Sequence, residues 1–261
     1  INYKNQGRKR MAIVFGLDFG TTNTLVSYIT EIDEKVIHFV DREKNTPHPS
    51  VVLYKGSTVI VGNEAKSQIN LDGDESNVRN FITSPKTMLG NQNTMNPIIG
   101  REDISRVMVV SEVLKFLTNN VQSQKIGTEQ DISLDQAVFT IPVSFNGRAR
   151  QELREAADLA GIKVVYFIHE PLAALYGYIR QQKEYEKTLN DLNGKYALVF
   201  DWGGGTLDLT VCQIKGGQLN QIRSEGDVDV GGDKFDDILQ NLVLEKFAKE
   251  NNLTAVRRKI N

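Results

Sequence analysis

Two short segments of this chain share one grammar, and that duplication constrains the fold more than any other feature. The first reads Phe15-Gly16-Leu17-Asp18-Phe19-Gly20-Thr21-Thr22-Asn23; the second reads Val199-Phe200-Asp201-Trp202-Gly203-Gly204-Gly205-Thr206-Leu207-Asp208. In each, an apolar β-run ends in an Asp, a Gly- and Thr-rich turn follows, and an alternating strand leaves. This order suits a hairpin whose tip sets backbone N–H groups against phosphate oxygens, because Gly has no Cβ to hold the chain away and tolerates positive φ. The Asp at the strand end is placed to face a hydrated cation. The second turn leads into Leu207 to Cys212, a strand and not a helix, and no G-x-x-x-x-G-K-[ST] occurs, so P-loop and Rossmann readings fail. A lone Gly-Gly-Gly after a strand is an ordinary hairpin. Two copies with Asp in register read as two halves of one nucleotide site.

With 261 residues, 40% of them apolar, and a net charge of −2, the chain is large enough for two packed lobes and carries no basic excess for nucleic acid. The single cysteine, Cys212, falls on the strand after the second turn, where a small buried residue fits; it excludes a disulfide scaffold and implies a reducing, cytoplasmic setting. No apolar run approaches a membrane span, so neither secretion nor membrane insertion is expected. Residues 1–10 carry Lys4, Arg8, Lys9 and Arg10 without an acid, which reads as a basic arm or, preferably, as a loose upstream or cloning-derived extension before Met11.

Short β-branched runs cluster early, at Ala12 to Leu17, Thr24 to Ile29, Val36 to Val40, Val51 to Tyr54 and Thr58 to Val61, and predict a meander. Val107, Val110, Val113, Leu114, Leu117 and Val121 then recur at helical spacing. A buried strand, Ala137 to Ile141, is ended by Pro142, and a helix over Arg150 to Ala160 stops at Gly161 before a strand at Lys163 to Phe167. Tyr178 to Lys195 is polar and predicts a helix end and an exposed loop between lobes. Phe235, Ile238, Leu239, Leu242, Val243 and Phe247 fall on one face of a last helix. Strands, a crossover helix and the same theme again argue for α/β architecture with two related lobes around a cleft.

The two turns resemble the phosphate-1 and phosphate-2 loops of the actin, sugar-kinase and heat-shock-chaperone ATPase superfamily, over about Met11 to Leu239. That resemblance implies an actin-like ATPase fold of duplicated ribonuclease-H-like lobes, the second incomplete: lobe I over 11–190 with an outer subdomain at about 50–127, and partial lobe II over 191–261. Thr140 to Asn146, Ala156 to Ile162 and His169-Glu170-Pro171-Leu172-Ala173-Ala174 look like segments of DnaK-type chaperones of the heat shock protein 70 family. Lys86, in Ser84-Pro85-Lys86-Thr87-Met88-Leu89-Gly90, resembles that family's lysine reaching the γ-phosphate and attacking water. The resemblance implies ATP or ADP with Mg²⁺ as cofactors. Asp18, Asp201 and Glu170 would hold the ion largely through waters; Lys86 and Thr206 would join them in catalysis. Gly20, Thr21, Thr22 and Asn23 would bind phosphate from one side, Gly203, Gly204, Gly205 and Thr206 from the other, with the turn Gly231-Gly232-Asp233 beside them. Asp18 and Asp208 keep an alternative reading as turn-capping acids.

In the parent protein the resemblance implies unfolded peptides, a J-domain co-chaperone and a nucleotide-exchange factor as partners. A filament-forming actin-like ATPase and a small-molecule kinase of the same superfamily are the alternatives; the long insertion Ser67 to Gly127 disfavours the filament, and no sugar pocket or catalytic base can be nominated for the kinase. Trp202, where the family has a smaller aliphatic residue, and Gly147-Arg148 mark departures. The family's adenosine motif is not found before Asn261, so the chain alone is expected to bind nucleotide weakly and to hydrolyse little.

Overall fold

The computed structural model describes residues 13–30, 34–68, 80–91, 98, 101, 103–124, 132–227 and 230–251. The basic stretch 1–10, the start of the first expected strand and much of the insertion 67–127 lie outside them. Strand β1 (Phe15–Phe19) pairs antiparallel with β2 (Asn23–Ile29); β2 pairs in turn with β3 (Val36–Phe39) and with the two-residue β4 (His48–Pro49). Three strands, β5 (Val51–Lys55), β6 (Thr58–Val61) and β7 (Phe81–Thr83), form a small sheet of their own in the order β6-β5-β7, with helix α1 (Asn63–Gln68) between the last two in sequence. A 3-10 turn, Pro85–Met88, leads towards helix α2 (Arg106–Ser123).

Strand β8 (Gln136–Ile141) enters beside β1 in parallel, helix α3 (Gly147–Leu159) crosses, and β9 (Lys163–His169) lies parallel to β8. The main sheet therefore runs β3-β2-β1-β8-β9, with β4 on β2. Alternation along β1 buries Phe15, Leu17 and Phe19 and leaves Asp18 on the other face. Helices α2 and α3 cover the buried face: Val109, Val110, Val113, Leu114 and Leu117 from one, Leu153, Ala156 and Ala157 from the other, join Phe39, Phe139 and Ile141 in a single core. Each helix starts where a side chain caps its free N–H groups, Ser105 for α2 and Asn146 for α3. Asn146 moves the start of α3 ahead of the expected Arg150. Its expected stop is found, with Gly161 at φ +74°.

Helix α4 (Glu170–Arg180) follows β9 directly, and α5 (Tyr185–Asp191) follows it. The expected exposed loop over 178–195 is thus partly helical. Tyr185, Leu189 and Leu192, spaced at three and four residues, pack on Leu175, Ile179 and Cys212, and Arg180 stacks over the Tyr185 ring at 4.7 Å. A last sheet, β10 (Tyr196–Trp202), β11 (Leu207–Lys215) and β12 (Gln218–Asp227), is antiparallel throughout, and α6 (Gly232–Glu250) leaves it. Cys212 is fully buried on β11, as expected. No helix among the described residues is long and apolar enough to cross a membrane.

Candidate nucleotide site

Both turns of the shared grammar are hairpin tips, and the fold presses them together. The first joins β1 to β2; Ser50, fully buried after Pro49, holds it by donating from its hydroxyl to the Gly20 carbonyl at 2.9 Å and from its N–H to the Thr22 carbonyl at 2.8 Å. The second joins β10 to β11 and is closed by the Gly203 N–H donating to the Thr206 carbonyl at 2.9 Å. A Cβ built on Gly204 would stand 2.4 Å from Thr22 Oγ1, and one on Gly205 would stand 3.3 Å from Thr21 Cγ2. A side chain at 204 would have to displace the Thr22 hydroxyl.

The third expected turn docks on the second. The N–H groups of Gly232 and Asp233 donate to the carbonyls of Gly203 and Gly204 at 3.1 and 2.8 Å, and a Cβ on Gly231 would run into the Gly204 carbonyl oxygen at 2.3 Å. Asp233 also accepts a long hydrogen bond, 3.5 Å, from the hydroxyl of Ser84, which sits in the left-handed region at φ 54° just before Pro85 and Lys86. Asn23 is the first residue of β2 and faces Pro49 across the pair.

Lys86 is buried, at 4% exposure, and its ammonium donates to Glu170 Oε1 at 2.5 Å while lying 5.7 Å from the Phe145 ring centroid. A charge buried this deeply has to be paired, and Glu170 supplies the partner. Glu170 opens α4 in front of Pro171, at the helix end whose dipole favours an anion. Its carboxyl nevertheless lies above its ordinary pKa: burial raises it, Lys86 opposes, and the charges of Asp18 and Asp201 raise it further.

Asp18 accepts from the Thr140 hydroxyl at 2.6 Å, a bond between neighbouring strands β1 and β8 that fixes the carboxylate on the open face of the sheet. Asp201 pairs across the hairpin with Asp208. Burial pushes the Asp201 pKa up, and the nearby charges of Asp208 and Asp18 add to this. Asp208 accepts from the Thr206 hydroxyl at 3.0 Å. The two hairpins, helix α4 and the Pro85–Met88 turn thus set Asp18, Asp201 and Lys86 within electrostatic reach of Glu170. Among the described residues no three His, Cys, Asp or Glu side chains close around one point at direct ligand distance. The acidic cluster fits an ion held through its waters, as a reluctantly dehydrated cation prefers.

Over residues 14–260 the chain matches the family described as Hsp70 protein. The chain belongs to the Hsp70 family. Membership gives it the actin-like ATPase fold, in accord with its mixed sheets and helices, and the filament and small-molecule-kinase alternatives are not favoured. Among Hsp70 relatives, "Chaperone protein DnaK" of Mycoplasma mycoides subsp. mycoides SC is 31% identical, with 95% of this chain and 38% of the relative covered. "Chaperone protein dnaK" of Phaeodactylum tricornutum is 32% identical, with 93% of this chain and 40% of the relative covered. The chain spans about two fifths of the length of these relatives.

Three residues of the site escaped sequence reasoning. Ser50 and Thr140 are hydroxyls in apolar surroundings, the one signal that could have marked them. Glu152, discussed below, sits on the buried face of a helix, where a carboxylate must be paired.

Proposed function

We propose that this chain is the ATP-binding and ATP-hydrolysing part of a DnaK-like chaperone, in which nucleotide state controls the holding of unfolded peptides elsewhere in the parent. The observation that carries the reading is the buried Lys86–Glu170 pair, set among Asp18 and Asp201 where the two turns meet. Phosphoryl transfer to water asks little covalent help of a protein; it asks for neutralised charge and a positioned nucleophile. The turns Gly20 to Asn23 and Gly203 to Thr206 cradle the phosphates from two sides, with the Gly203 N–H closing its own turn, and the turn Gly231-Gly232-Asp233 braces the second cradle. Lys86 reaches the γ-phosphate and the attacking water, and the Thr206 hydroxyl orients beside it.

Asp18, Asp201 and Glu170 would hold Mg²⁺ through its waters, and the ion would supply neutralising charge to phosphate oxygens. Thr140 keeps the Asp18 carboxylate turned towards that place. Burial, with the neighbouring carboxylates adding to it, raises the pKa values of Asp201 and Glu170, and a cation beside them would offset that cost. The proposed division, 11–190 with an outer subdomain at about 50–127 and then 191–261, follows sheet membership: β1–β9 fall before it and β10–β12 after. A cytoplasmic setting, a J-domain co-chaperone and a nucleotide-exchange factor belong to the same proposal.

For this chain on its own we propose weak nucleotide binding and little turnover, because among the described residues the apolar faces of β10 and α6 behind the second turn are exposed. Lys86→Ala in the parent protein is the test. Losing a group that acts on the γ-phosphate in the transition state should cost about 10²-fold in turnover with little change in ATP affinity. Unchanged turnover would refute the assigned role.

A further inference from the structure

Glu152 projects from α3 into a buried position, at 7% exposure, and both of its oxygens are fully engaged. Oε2 accepts from the Gly90 N–H at 2.7 Å and from Arg106 Nε at 3.0 Å; Oε1 accepts from Arg106 Nη2 at 2.7 Å and from Arg148 Nε at 2.9 Å. These partners hold its pKa below the ordinary carboxylate range despite burial. Arg106 also donates to the Asn91 carbonyl, so the guanidinium and the carboxylate grip both sides of the Gly90-Asn91 step.

That step is the exit of the loop that carries Lys86. The loop enters through Ser84 in the left-handed region, turns once with the Thr87 N–H and hydroxyl both on the Ser84 carbonyl, buries Leu89, and leaves through Gly90 at φ +77°. Gly90 lies so close to α3 that a Cβ there would meet Ala149 Cβ at 2.8 Å and Asn146 Oδ1 at 3.0 Å. Lys86 lies four residues from this anchor, and its ammonium must cross to Glu170 on another element. A short loop fixed at its exit has few ways to place that side chain.

We propose that Glu152 is a positioning residue: by clamping Gly90 against α3, with Arg106 on the far side, it fixes the loop so that the Lys86 ammonium stays buried against Glu170. The nucleotide chemistry this serves rests on the reading given above, whereas the clamp itself is tested on the chain without any nucleotide.

The test is the rate at which the Lys86 amine is methylated by formaldehyde and borohydride, read by mass spectrometry, with exposed Lys187 as internal reference. A glutamine side chain in place of Glu152 could accept from Gly90 or from Arg106 but would carry no charge for either arginine. Glu152→Gln should therefore speed Lys86 labelling about tenfold relative to Lys187, the size of one lost charged hydrogen bond. Hydrogen exchange at the Gly90 amide should rise with it. Arg106→Lys, which keeps the charge and loses the two-pronged grip, should fall between wild type and Glu152→Gln, and removal of the half-exposed Arg148 should do least. That graded order separates a clamp from general unfolding, which would expose every buried amine together. Equal Lys86 labelling in wild type and a folded Glu152→Gln, or a flat order across the three variants, would overturn the proposal. Lys86→Ala with normal turnover would instead refute the catalytic reading and leave the labelling result standing.

Discussion

The two sheets that supply the turns are alike at their tips and unlike beneath them. Under the first turn, Phe15, Leu17, Phe19 and Phe139 are closed over by α2 and α3, and almost nothing apolar on that face reaches water. Under the second, Ala197 and Val199 face a small cluster built on Leu175, Ile179, Cys212 and Ile214, while the opposite face of β10 presents Tyr196, Leu198, Phe200 and Trp202 with more than half of each exposed. Helix α6 touches that face through Phe235, whose ring lies 5.7 Å from Trp202, and its remaining apolar stripe is open. Turn geometry is therefore independent of how the sheet beneath is covered. It comes from an Asp at a strand end, glycines that admit close approach and distant groups that tie the turn carbonyls, Ser50 on the first turn and Gly232 and Asp233 on the second.

Substitutions in the two regions should then differ by their burial. Phe139→Ala removes a fully buried ring from the sealed core and should cost about 3–5 kcal/mol of stability, measured by denaturant unfolding. A loss under about 1 kcal/mol would mean that the sealed core is looser than its burial implies.

The sealed region also contains an acid-sensitive point. His48 is 1% exposed, lies edge-on to Phe116 at 5.3 Å, and among the described residues no hydrogen bond closes to either ring nitrogen. Burial holds its pKa below the ordinary value; Asp41, Asn120 and the Phe39 backbone oppose this without reversing it. The folded state thus refuses a proton that the unfolded chain accepts below about pH 6.5, and stability should fall by up to about 1.4 kcal/mol per pH unit as pH drops through that range. Thermal melts at pH 7 and pH 5.5 should show His48→Leu losing less than wild type over the interval. Equal losses would remove His48 from the account.

The smallest effect belongs to the open face. Phe200→Ser should change stability by no more than about 0.5 kcal/mol, because the residue is more than half exposed and its ring packs only edge-on against the similarly exposed Trp202. It should also lower binding of an apolar dye. A large loss of stability would show that this face is covered in solution.

What the sequence made legible follows the same division. Strand and helix positions came from local pattern: the strands at 36 and 58 begin where alternation begins, Gly161 ends its helix, and Cys212 lies in the core. Among the described residues the first strand begins at Phe15, after Ile13 and Val14, where pairing with β8 begins, and that is a property of a partner far along the chain. The helix α5 was missed because its apolar residues, Tyr185 and Leu189, with Leu192 at its end, are sparse in a polar stretch and gain meaning only against α4 and β11. Within the site, the turns and Lys86 could be nominated from spacing and resemblance. Ser50, Thr140 and Glu152 could not, since each acts through a contact 30 to 122 residues away in sequence.

The central claim is that the two turns form one phosphate site. Titrating the ¹⁵N-labelled chain with ATP and Mg²⁺ while following amide shifts tests it directly, because weak binding still moves fast-exchanging signals. The account predicts that amides of Gly20 to Asn23 and of Gly203 to Thr206 shift together along one binding curve. Shifts confined to one turn, or two curves with different affinities, would contradict it.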